Sequence, residues 1–197
     1  MQDLIRRAAD IVMAGGLVAY PTDTFYGLAC DPRNPHAIAR LFAAKNRDGR
    51  RPSPLVGASL EQVSAAVDLN AVARRLAAAF WPGPLALVLP ARAEIQRTVL
   101  GGLDTAAVRV PADATARALA EAVGFCITAT SANRSGEAPV TRASDLDQHL
   151  GDQLDFVLDG GTAPGGAAST IVDVTSAEPT LVRPGLIAWG RVLESLR

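Results

Sequence analysis

The fold is decided by one stretch of the chain, Leu17-Val-Ala-Tyr-Pro-Thr-Asp-Thr-Phe-Tyr-Gly27. Its first four residues have the composition of a short buried strand. The residues that follow are a polar, glycine-bounded segment rich in hydroxyl groups. Because ligands of α/β proteins gather at the ends of strands, the stretch predicts an α/β fold with a ligand site where this strand ends.

Three further polar segments interrupt apolar runs in the same way: Lys45-Asn-Arg47, Thr130-Ser-Ala-Asn-Arg-Ser-Gly136 and Gly160-Gly-Thr-Ala-Pro-Gly-Gly166. Together the segments supply two fixed cations, several hydroxyls, one amide and many accessible backbone N–H groups. This combination suits a polyanion bound beside a small polar molecule. Since no standard catalytic nucleophile stands out, the sequence predicts an enzyme that positions charged reactants.

The apolar periodicity predicts helices and strands that are interspersed without a regular βαβ repeat. Helices are expected at 3–14, from Asn34-Pro35 to Lys45, from the capping-box-like Ser59-Leu-Glu-Gln62, and at 70–80, 112–123, 142–150 and 186–196. Strands are expected at 17–20, 85–89, 106–110, 125–129, 156–158, 170–174 and 180–182. We therefore predict one α/β domain over residues 1–197, with helices packed on a single twisted mixed sheet.

Composition limits the classes of function. A net charge of −1 argues against a protein whose main task is to coat nucleic acid. Cys30 and Cys126 lie among apolar or small residues and are expected to be buried in a reducing compartment. The two histidines, His36 and His149, lack metal-site spacing. Without a signal-peptide core or an apolar run of about 18 residues, the chain is predicted to be cytoplasmic, with no membrane contact.

The residues alone leave two interpretations open for each polar segment. Lys45 and Arg47 can converge on one anion, or they form an ordinary solvated helix end. The segment at residues 130–133 is a ligand site after a strand or a turn held by its own side chains. The Gly160–Gly166 segment is an anion nest or a plain turn.

Two arginines at strand ends raise a similar question. Arg109 and Arg183 each need a partner, and an ion pair with Asp23 or Asp173 would satisfy them. Ser131 is disfavoured as a nucleophile, because the Gly-x-Ser-x-Gly turn and a partner histidine are missing.

Taken jointly, the segments resemble the YrdC/TsaC family, the threonylcarbamoyl-AMP synthases. The matching stretches occur in order along nearly the whole chain: Tyr20-Pro-Thr-Asp-Thr-Phe-Tyr-Gly-Leu28, Lys45-Asn-Arg47, Phe80-Trp-Pro-Gly-Pro-Leu85, Val108-Arg-Val-Pro111, Ala129-Thr-Ser-Ala-Asn-Arg-Ser-Gly136, Ala168-Ser-Thr-Ile-Val-Asp173 and Val182-Arg-Pro-Gly185. One such stretch would be weak, whereas seven in order favour ligand-binding roles for these segments.

The resemblance implies a twisted α/β fold with a concave basic surface, in the short single-domain form of the family. It implies that L-threonine, bicarbonate and ATP, with Mg²⁺, are condensed to threonylcarbamoyl-AMP and pyrophosphate. The product would pass to the tRNA threonylcarbamoyl-transferase machinery, which forms N6-threonylcarbamoyladenosine, and direct contact with tRNA is left open.

The resemblance also implies roles for particular residues. Lys45 and Arg47 match the family's KxR motif and would be the catalytic cations. Ser131 and Asn133 match the SxN motif, and both motifs would surround the nucleotide phosphates and the carbamate. Arg183 would also contact the nucleotide, with Mg²⁺ held through the ATP phosphates and by no protein ligand. The threonine contacts would be Thr24, Arg109, Thr130 and Ser169.

The chain departs from the family pattern just after Arg47, where Asp48 replaces the usual proline. An acid beside a phosphate site is unfavourable unless it faces Arg50, Arg51 or a metal. Alternatives to the synthase stay open: a paralogue of the YciO type with little or different activity, and an RNA-binding module that uses the basic concavity without catalysis. A further alternative is a carbamoyl-adenylating domain like that of hydrogenase maturation proteins, which normally belongs to a much longer chain.

Overall fold

The structure, a computed structural model, describes residues 1–146 and 150–197. Its strands, in chain order, are β1 (Val18–Tyr20), β2 (Gly27–Ala29), β3 (Leu55–Val56), β4 (Leu85–Pro90), β5 (Thr105–Arg109), β6 (Ile127–Thr128), β7 (Thr130–Ser131), β8 (Phe156–Val157), β9 (Thr170–Asp173) and β10 (Thr180–Arg183). The α-helices are α1 (Gln2–Met13), α2 (Pro35–Lys45), α3 (Leu60–Ser64), α4 (Ala71–Phe80), α5 (Ala114–Val123) and α6 (Trp189–Glu194).

The strands form two mixed sheets, so the predicted α/β class is confirmed and the predicted single sheet is wrong. The smaller sheet has the strand order β7-β2-β1-β8, and the larger has the order β10-β9-β4-β5-β3-β6. In the smaller sheet β1 is antiparallel to β2 and parallel to β8. In the larger sheet the central strand β4 is antiparallel to β5 and parallel to β9.

The division into two sheets has a local cause at Ala129. The sequence predicts one strand over 125–129, but the chain pairs with β3 of the larger sheet at Ile127–Thr128 and then with β2 of the smaller sheet at Thr130–Ser131. Between these strands the Ala129 N–H donates to the Pro54 carbonyl at 2.8 Å. The chain therefore changes sheets within three residues, and the two sheets meet there.

The helix ends follow the capping residues read from the sequence. Asn34 accepts from two backbone N–H groups at the start of α2, and Asn70 accepts from the Ala73 N–H at the start of α4. Helix α2 ends at Lys45, and its C-cap residue Asn46 has a left-handed φ of 48°. Asparagine tolerates this conformation better than most residues. The turn redirects the chain directly between Lys45 and Arg47.

Some predicted elements are shorter than expected or differ in detail. The Gln62 side chain accepts from the Ala58 N–H at 2.7 Å, so Ser59 caps α3 without the reciprocal bond of a capping box. Of the predicted helix at 142–150, the described part contains a 3₁₀ turn at Ala143–Asp145. Residues 147–149, including His149, lie outside the described residues.

The apolar core forms two clusters on either side of the smaller sheet. One contains Leu28 and Tyr26 with residues of the larger sheet, α2 and α4. The other packs α1 and α5 against Val18, Tyr20 and Ala29. Alternate residues of β1 thus enter different clusters, which holds the segment that follows β1 between the two sheets.

Candidate active site

A cavity of about 280 Å³ lies where both sheets contribute residues. The smaller sheet provides the segment between β1 and β2 together with β7. The larger sheet provides the end of β5, the start of β9 and the end of β10, with Ala86 of β4 and Ile171 of β9 as an apolar part. The cavity is therefore built from strand ends, as the first stretch of sequence predicts.

Most residues predicted as a site from the sequence meet in this cavity. Seven of the nine line it: Thr24, Arg47, Arg109, Thr130, Ser131, Ser169 and Arg183. They come from segments far apart in the chain, and three of them carry guanidinium groups. The predicted basic concavity is therefore present, although the net charge of the whole chain is −1.

The Arg47 guanidinium is fixed by neutral oxygens. It donates from Nη1 to Thr130 Oγ1 at 2.7 Å, from Nη2 to the Pro52 carbonyl at 2.7 Å and from Nε to the Arg51 carbonyl at 3.3 Å. Burial, and then the charge of Arg51, lowers the pKa of Arg47 from its ordinary value. A cation that lacks a carboxylate partner among these contacts is well suited to an anionic ligand.

Arg109 and Arg183 are held differently from each other. Arg109 donates to Asp23 in an ion pair that is almost wholly buried, and Asp23 also accepts from the Ala112 N–H at 3.0 Å. Arg183 donates from Nη2 to the Ser169 carbonyl at 2.7 Å. The ion pair suggested for these arginines therefore forms at Arg109 with Asp23. Burial, and then the charge of Arg109, lowers the pKa of Arg183.

Two predicted residues, Lys45 and Asn133, are not brought to the cavity wall. Lys45 is 2% exposed, and its Nζ donates to the carbonyls of Ser131 and, at 2.6 Å, of Asn133. The reason is the left-handed turn at Asn46, which sends Lys45 inward and Arg47 toward the cavity. In this structure the two cations therefore donate to different oxygens, and only Arg47 lines the cavity.

Lys45 is hydrogen-bonded to the backbone of the SxN segment, Ser131 to Asn133. Burial, and then the charge of Arg47, lowers the pKa of Lys45 to about 8. It is also the single lysine of the chain, because the other 18 of the 19 Lys and Arg residues are arginine. A compact ammonium between two carbonyls is a role that a planar guanidinium fills poorly.

The Asn133 side chain is oriented by its own segment. Its Nδ2 donates to the carbonyls of Arg134 at 2.9 Å and Glu137 at 2.8 Å, which fixes Oδ1 on the opposite side. Oδ1 is buried and has no hydrogen-bond partner among the residues the structure describes. Because such an acceptor is costly to bury, a donor supplied by a ligand or a water would satisfy it.

Some residues of the cavity wall are not among those predicted from the sequence. Thr22 lines it two residues before Thr24, as do Phe25 and Tyr26 just after. Their signal is available in the sequence, since they belong to the same polar segment.

Asp48, the acid that follows Arg47, pairs with Arg50 at 2.8 Å, which is the arrangement that makes an acid tolerable there. This contact lowers the pKa of Asp48 to about 2.

The Gly160–Gly166 segment supports the cavity wall from outside. Tyr26 donates its hydroxyl to the Gly161 carbonyl at 2.7 Å, and the Gly165 N–H donates to the Thr24 carbonyl at 2.7 Å. Gly165 has a φ of 72°, a left-handed backbone conformation that glycine adopts without steric cost. These contacts assign the segment to a supporting turn and do not include it in the cavity lining.

The Mg²⁺ implied by the resemblance can be tested against these residues. Within residues 1–146 and 150–197 no group of three or more His, Cys, Asp or Glu side chains could hold a metal ion. The side chains at the cavity offer hydroxyl oxygens at Thr130, Ser131 and Ser169. Mg²⁺ commonly keeps several waters and binds through substrate phosphates, so the residues fit a metal that enters with a nucleotide.

Cys30 and Cys126 are buried free thiols, as expected, and burial raises the pKa of each to about 12. They are therefore unreactive at neutral pH. In the described part of the chain, every helix is too short or too polar to span a bilayer.

The fold and the site define a class: α/β proteins with an arginine-lined cavity between two mixed sheets. A family model for Sua5, YciO and YrdC, described as telomere recombination, matches residues 10–185. The chain belongs to the Sua5/YciO/YrdC family.

Two curated relatives share one name. A threonylcarbamoyl-AMP synthase of Pyrococcus abyssi is 41% identical over 182 residues, which are 92% of this chain and 54% of that protein. A threonylcarbamoyl-AMP synthase of Idiomarina loihiensis is 39% identical over 165 residues, covering 82% of this chain and 88% of that protein. The chain thus spans about half the length of the P. abyssi relative and most of the I. loihiensis one.

Solved structures agree with this assignment. Sua5 of P. abyssi complexed with L-threonine has a TM-score of 0.95 at 38% identity, covering 100% of this chain and 58% of that one. YciO of E. coli has a TM-score of 0.86 at 29% identity, covering 95% of this chain and 92% of that one.

Proposed function

We propose that this chain is a threonylcarbamoyl-AMP synthase, which makes threonylcarbamoyl-AMP and pyrophosphate from L-threonine, bicarbonate and ATP. The observation that carries the proposal is the cavity itself. It combines three guanidiniums with several hydroxyls, in a chain that superposes with a TM-score of 0.95 on a Sua5 structure complexed with L-threonine.

The chemistry follows from the charges of the reactants. The threonine amine and bicarbonate give a carbamate and water. A carbamate oxygen then attacks the α-phosphorus of ATP, and the bond to pyrophosphate breaks. Both partners of the second step are anionic, so part of the barrier is their mutual repulsion. Fixed cations in a buried site lower that barrier, and one such group typically contributes about 10²-fold or more to the rate.

The cavity residues would form two groups, one that contacts the nucleotide and one that contacts L-threonine. Arg47, Ser131 and Arg183 would face the nucleotide, and Lys45 and Asn133 would act on the same side through the SxN segment. The threonine contacts would be Thr24, Arg109, Thr130 and Ser169. Mg²⁺ bound through the phosphates would neutralise part of their charge. The fixed arginines would hold the reacting oxygen and phosphorus in line.

The partners and the location extend the proposal. The product is a mixed anhydride that hydrolyses readily, so an acceptor must take the threonylcarbamoyl group soon after release. We assign that role to the tRNA threonylcarbamoyl-transferase machinery of the cytoplasm, with the adenosine of tRNA as the final acceptor. A paralogue of the YciO type is the less supported candidate, because its E. coli structure is less similar in both sequence and fold.

The proposal is tested by pyrophosphate release from ATP with single omissions. The wild-type protein with Mg²⁺ should release pyrophosphate when L-threonine and bicarbonate are both supplied, and should stop when either is left out. Release that ignores threonine would indicate a simple ATPase. No release from the folded protein would favour the YciO-type paralogue. Salt-sensitive retention on tRNA without release would favour the RNA-binding module.

A further inference from the structure

Two hydroxyl groups of the segment between β1 and β2 lie side by side at the cavity wall. Thr22 Oγ1 and Thr24 Oγ1 are 3.0 Å apart, and the residues are 3% and 7% exposed. Both line the cavity. Their contacts fix the direction in which each hydroxyl hydrogen points.

The Thr22 hydroxyl is saturated within the protein. Its one hydrogen goes to the Phe25 carbonyl at 2.8 Å, because a carbonyl oxygen can only accept. In the contact between the two hydroxyls Thr22 must therefore accept, and Thr24 must donate. The Thr24 N–H also donates to Thr22 Oγ1, at 3.1 Å. With one hydrogen given and two accepted, Thr22 has no capacity left for a ligand.

Thr24 is left with the opposite property. Its hydrogen is committed to Thr22, so its oxygen can only accept from a ligand. Among the residues that the structure describes, no other hydrogen bond reaches Thr24 Oγ1. The guanidiniums of the same cavity are donors. Thr130 Oγ1 already accepts from Arg47, so its own hydrogen remains to be donated. Thr24 is thus a fixed acceptor among donors.

We propose that Thr22 is a positioning residue that locks the Thr24 hydroxyl as an acceptor, so that Thr24 selects a ligand group carrying an N–H or O–H hydrogen. This inference rests on the proposed function, in which the ligand is L-threonine. The arginines suit its carboxylate, and Thr24 accepts from its amine or its hydroxyl. A freely rotating hydroxyl would donate to a carboxylate as readily. When the Thr24 hydroxyl is locked, its lone pairs repel those of a carboxylate placed beside it. The amino acid is therefore held in one orientation.

The test compares two replacements of Thr22 by calorimetric titration. Thr22→Val keeps the shape and removes the hydroxyl, whereas Thr22→Ser keeps the hydroxyl and removes a methyl group. Losing the locked hydrogen bond should weaken L-threonine binding about tenfold in Thr22→Val, and Thr22→Ser should stay within about threefold of wild type. The affinity for ATP should change less than about threefold in both variants, since the lock acts on the amino acid side.

Two analogues identify the hydrogen that Thr24 accepts. L-2-aminobutyrate lacks the side-chain hydroxyl of threonine, and 3-hydroxybutyrate lacks its amine. The difference between wild type and Thr22→Val should persist for the analogue that keeps the accepted hydrogen and disappear for the other.

Several outcomes would overturn the inference. Equal losses in Thr22→Val and Thr22→Ser would indicate a packing role for the methyl group. A parallel loss of ATP affinity would indicate a general structural role. Unchanged threonine binding in a folded Thr22→Val would show that Thr22 does not orient the Thr24 hydroxyl for the ligand. If Thr22→Val does not fold, Thr22→Ala takes its place and should show the same tenfold loss relative to Thr22→Ser, about one hydrogen bond.

The inference and the proposed function fail in distinguishable ways. A wild-type protein without threonine-dependent pyrophosphate release overturns both. A wild-type protein with that release, combined with unchanged threonine affinity in Thr22→Val, overturns the lock alone.

Discussion

At the scale of residues, Lys45 has two properties that bear on activity: its ammonium is buried between backbone carbonyls, and its pKa is lowered to about 8. The ammonium is therefore lost from the free protein as pH rises through about 8. The kcat/KM for ATP, which reports the free enzyme, should decline above that pH. The decline in kcat should lie at higher pH, since bound phosphates favour the charged amine.

Lys45→Arg is the variant that tests this dependence. It keeps a charge throughout the range, so the decline above about pH 8 should disappear, while the activity itself should fall because the guanidinium does not fit between the carbonyls. Since Lys45 is the single lysine, NMR titration of protein labelled with ¹³C at lysine Cε reports its pKa directly. A Lys45 signal that titrates near its ordinary 10.5 would contradict the account.

The lowered pKa of Lys45 affects stability in the opposite direction from activity: stability rises with pH where activity falls. Between about pH 8 and 10.5 the unfolded chain binds more protons at Lys45 than the folded one. The contribution of this group to the free energy of unfolding therefore rises with pH across that window. Denaturant titrations of wild type and Lys45→Met at pH 8 and pH 10 should show a smaller gain for the variant. An equal gain would mean that Lys45 is not the titrating group.

Arg47 and Arg50 form a matched pair for the role of cavity charge. Arg47 lines the cavity, whereas Arg50 is exposed and paired with Asp48. Arg47→Ala should lower threonine-dependent pyrophosphate release about 10²-fold or more. Arg50→Ala should change it less than about threefold, because exposed ion pairs contribute little. Equal effects of the two replacements would argue for a diffuse electrostatic contribution in place of a specific contact.

At the scale of elements, the turn after β10 depends on one close approach of backbone. A Cβ on Gly185 would lie 2.3 Å from the Ala168 carbonyl oxygen, beside the segment that carries Ser169. Gly185→Ala should therefore lower the free energy of unfolding by about 1–3 kcal/mol and disturb the cavity.

Gly190 in α6 is the matched control for Gly185. A Cβ on Gly190 would meet open space, and the residue lies within a helix. Gly190→Ala should raise the free energy of unfolding by about 0.5–1 kcal/mol. Thermal melts of both variants measure the two shifts, and shifts of the same sign would contradict the account of this turn.

At the scale of the whole molecule, the two sheets are joined by buried hydrogen bonds as well as by the chain at Ala129. Tyr20 of β1 donates its hydroxyl to the Thr128 carbonyl of β6 at 2.9 Å. Tyr20→Phe removes this donor from a buried acceptor and should lower the free energy of unfolding by about 1–3 kcal/mol. Urea unfolding should remain a single transition with an unchanged slope. Two separate transitions would show that the sheets unfold independently.

The sequence predicts more of the element pattern than of the sheet arrangement. The amphipathic helices and the strands at 85–90 and 170–173 carry enough periodic residues to be recognised. The strands Leu55–Val56 and Gly27–Ala29 are too short to show a period and are not predicted, whereas the equally short strands near 17–20 and 156–158 are predicted from their apolar composition. The change of sheets at Ala129 depends on long-range pairing, which no local pattern records.

The residues of the cavity are also predicted in part from the sequence. Seven of nine residues meet in the cavity, and all but Arg47 lie in or beside strand ends, which converge there. The inward direction of Lys45 depends on the backbone of one residue, Asn46, and cannot be predicted from spacing. The sequence narrows the partner of Arg109 to Asp23 or Asp173, and the choice of Asp23 requires the fold.

The central claim is that this cavity joins threonine, bicarbonate and ATP, and one measurement addresses it directly. The protein is incubated with ATP, Mg²⁺, L-threonine and ¹³C-bicarbonate, and the products are analysed at once by mass spectrometry. We predict threonylcarbamoyl-AMP one mass unit heavier than with unlabelled bicarbonate, at a level about 10²-fold lower in Arg47→Ala. An unlabelled product, or no adduct from a folded protein that still binds ATP, would contradict the account.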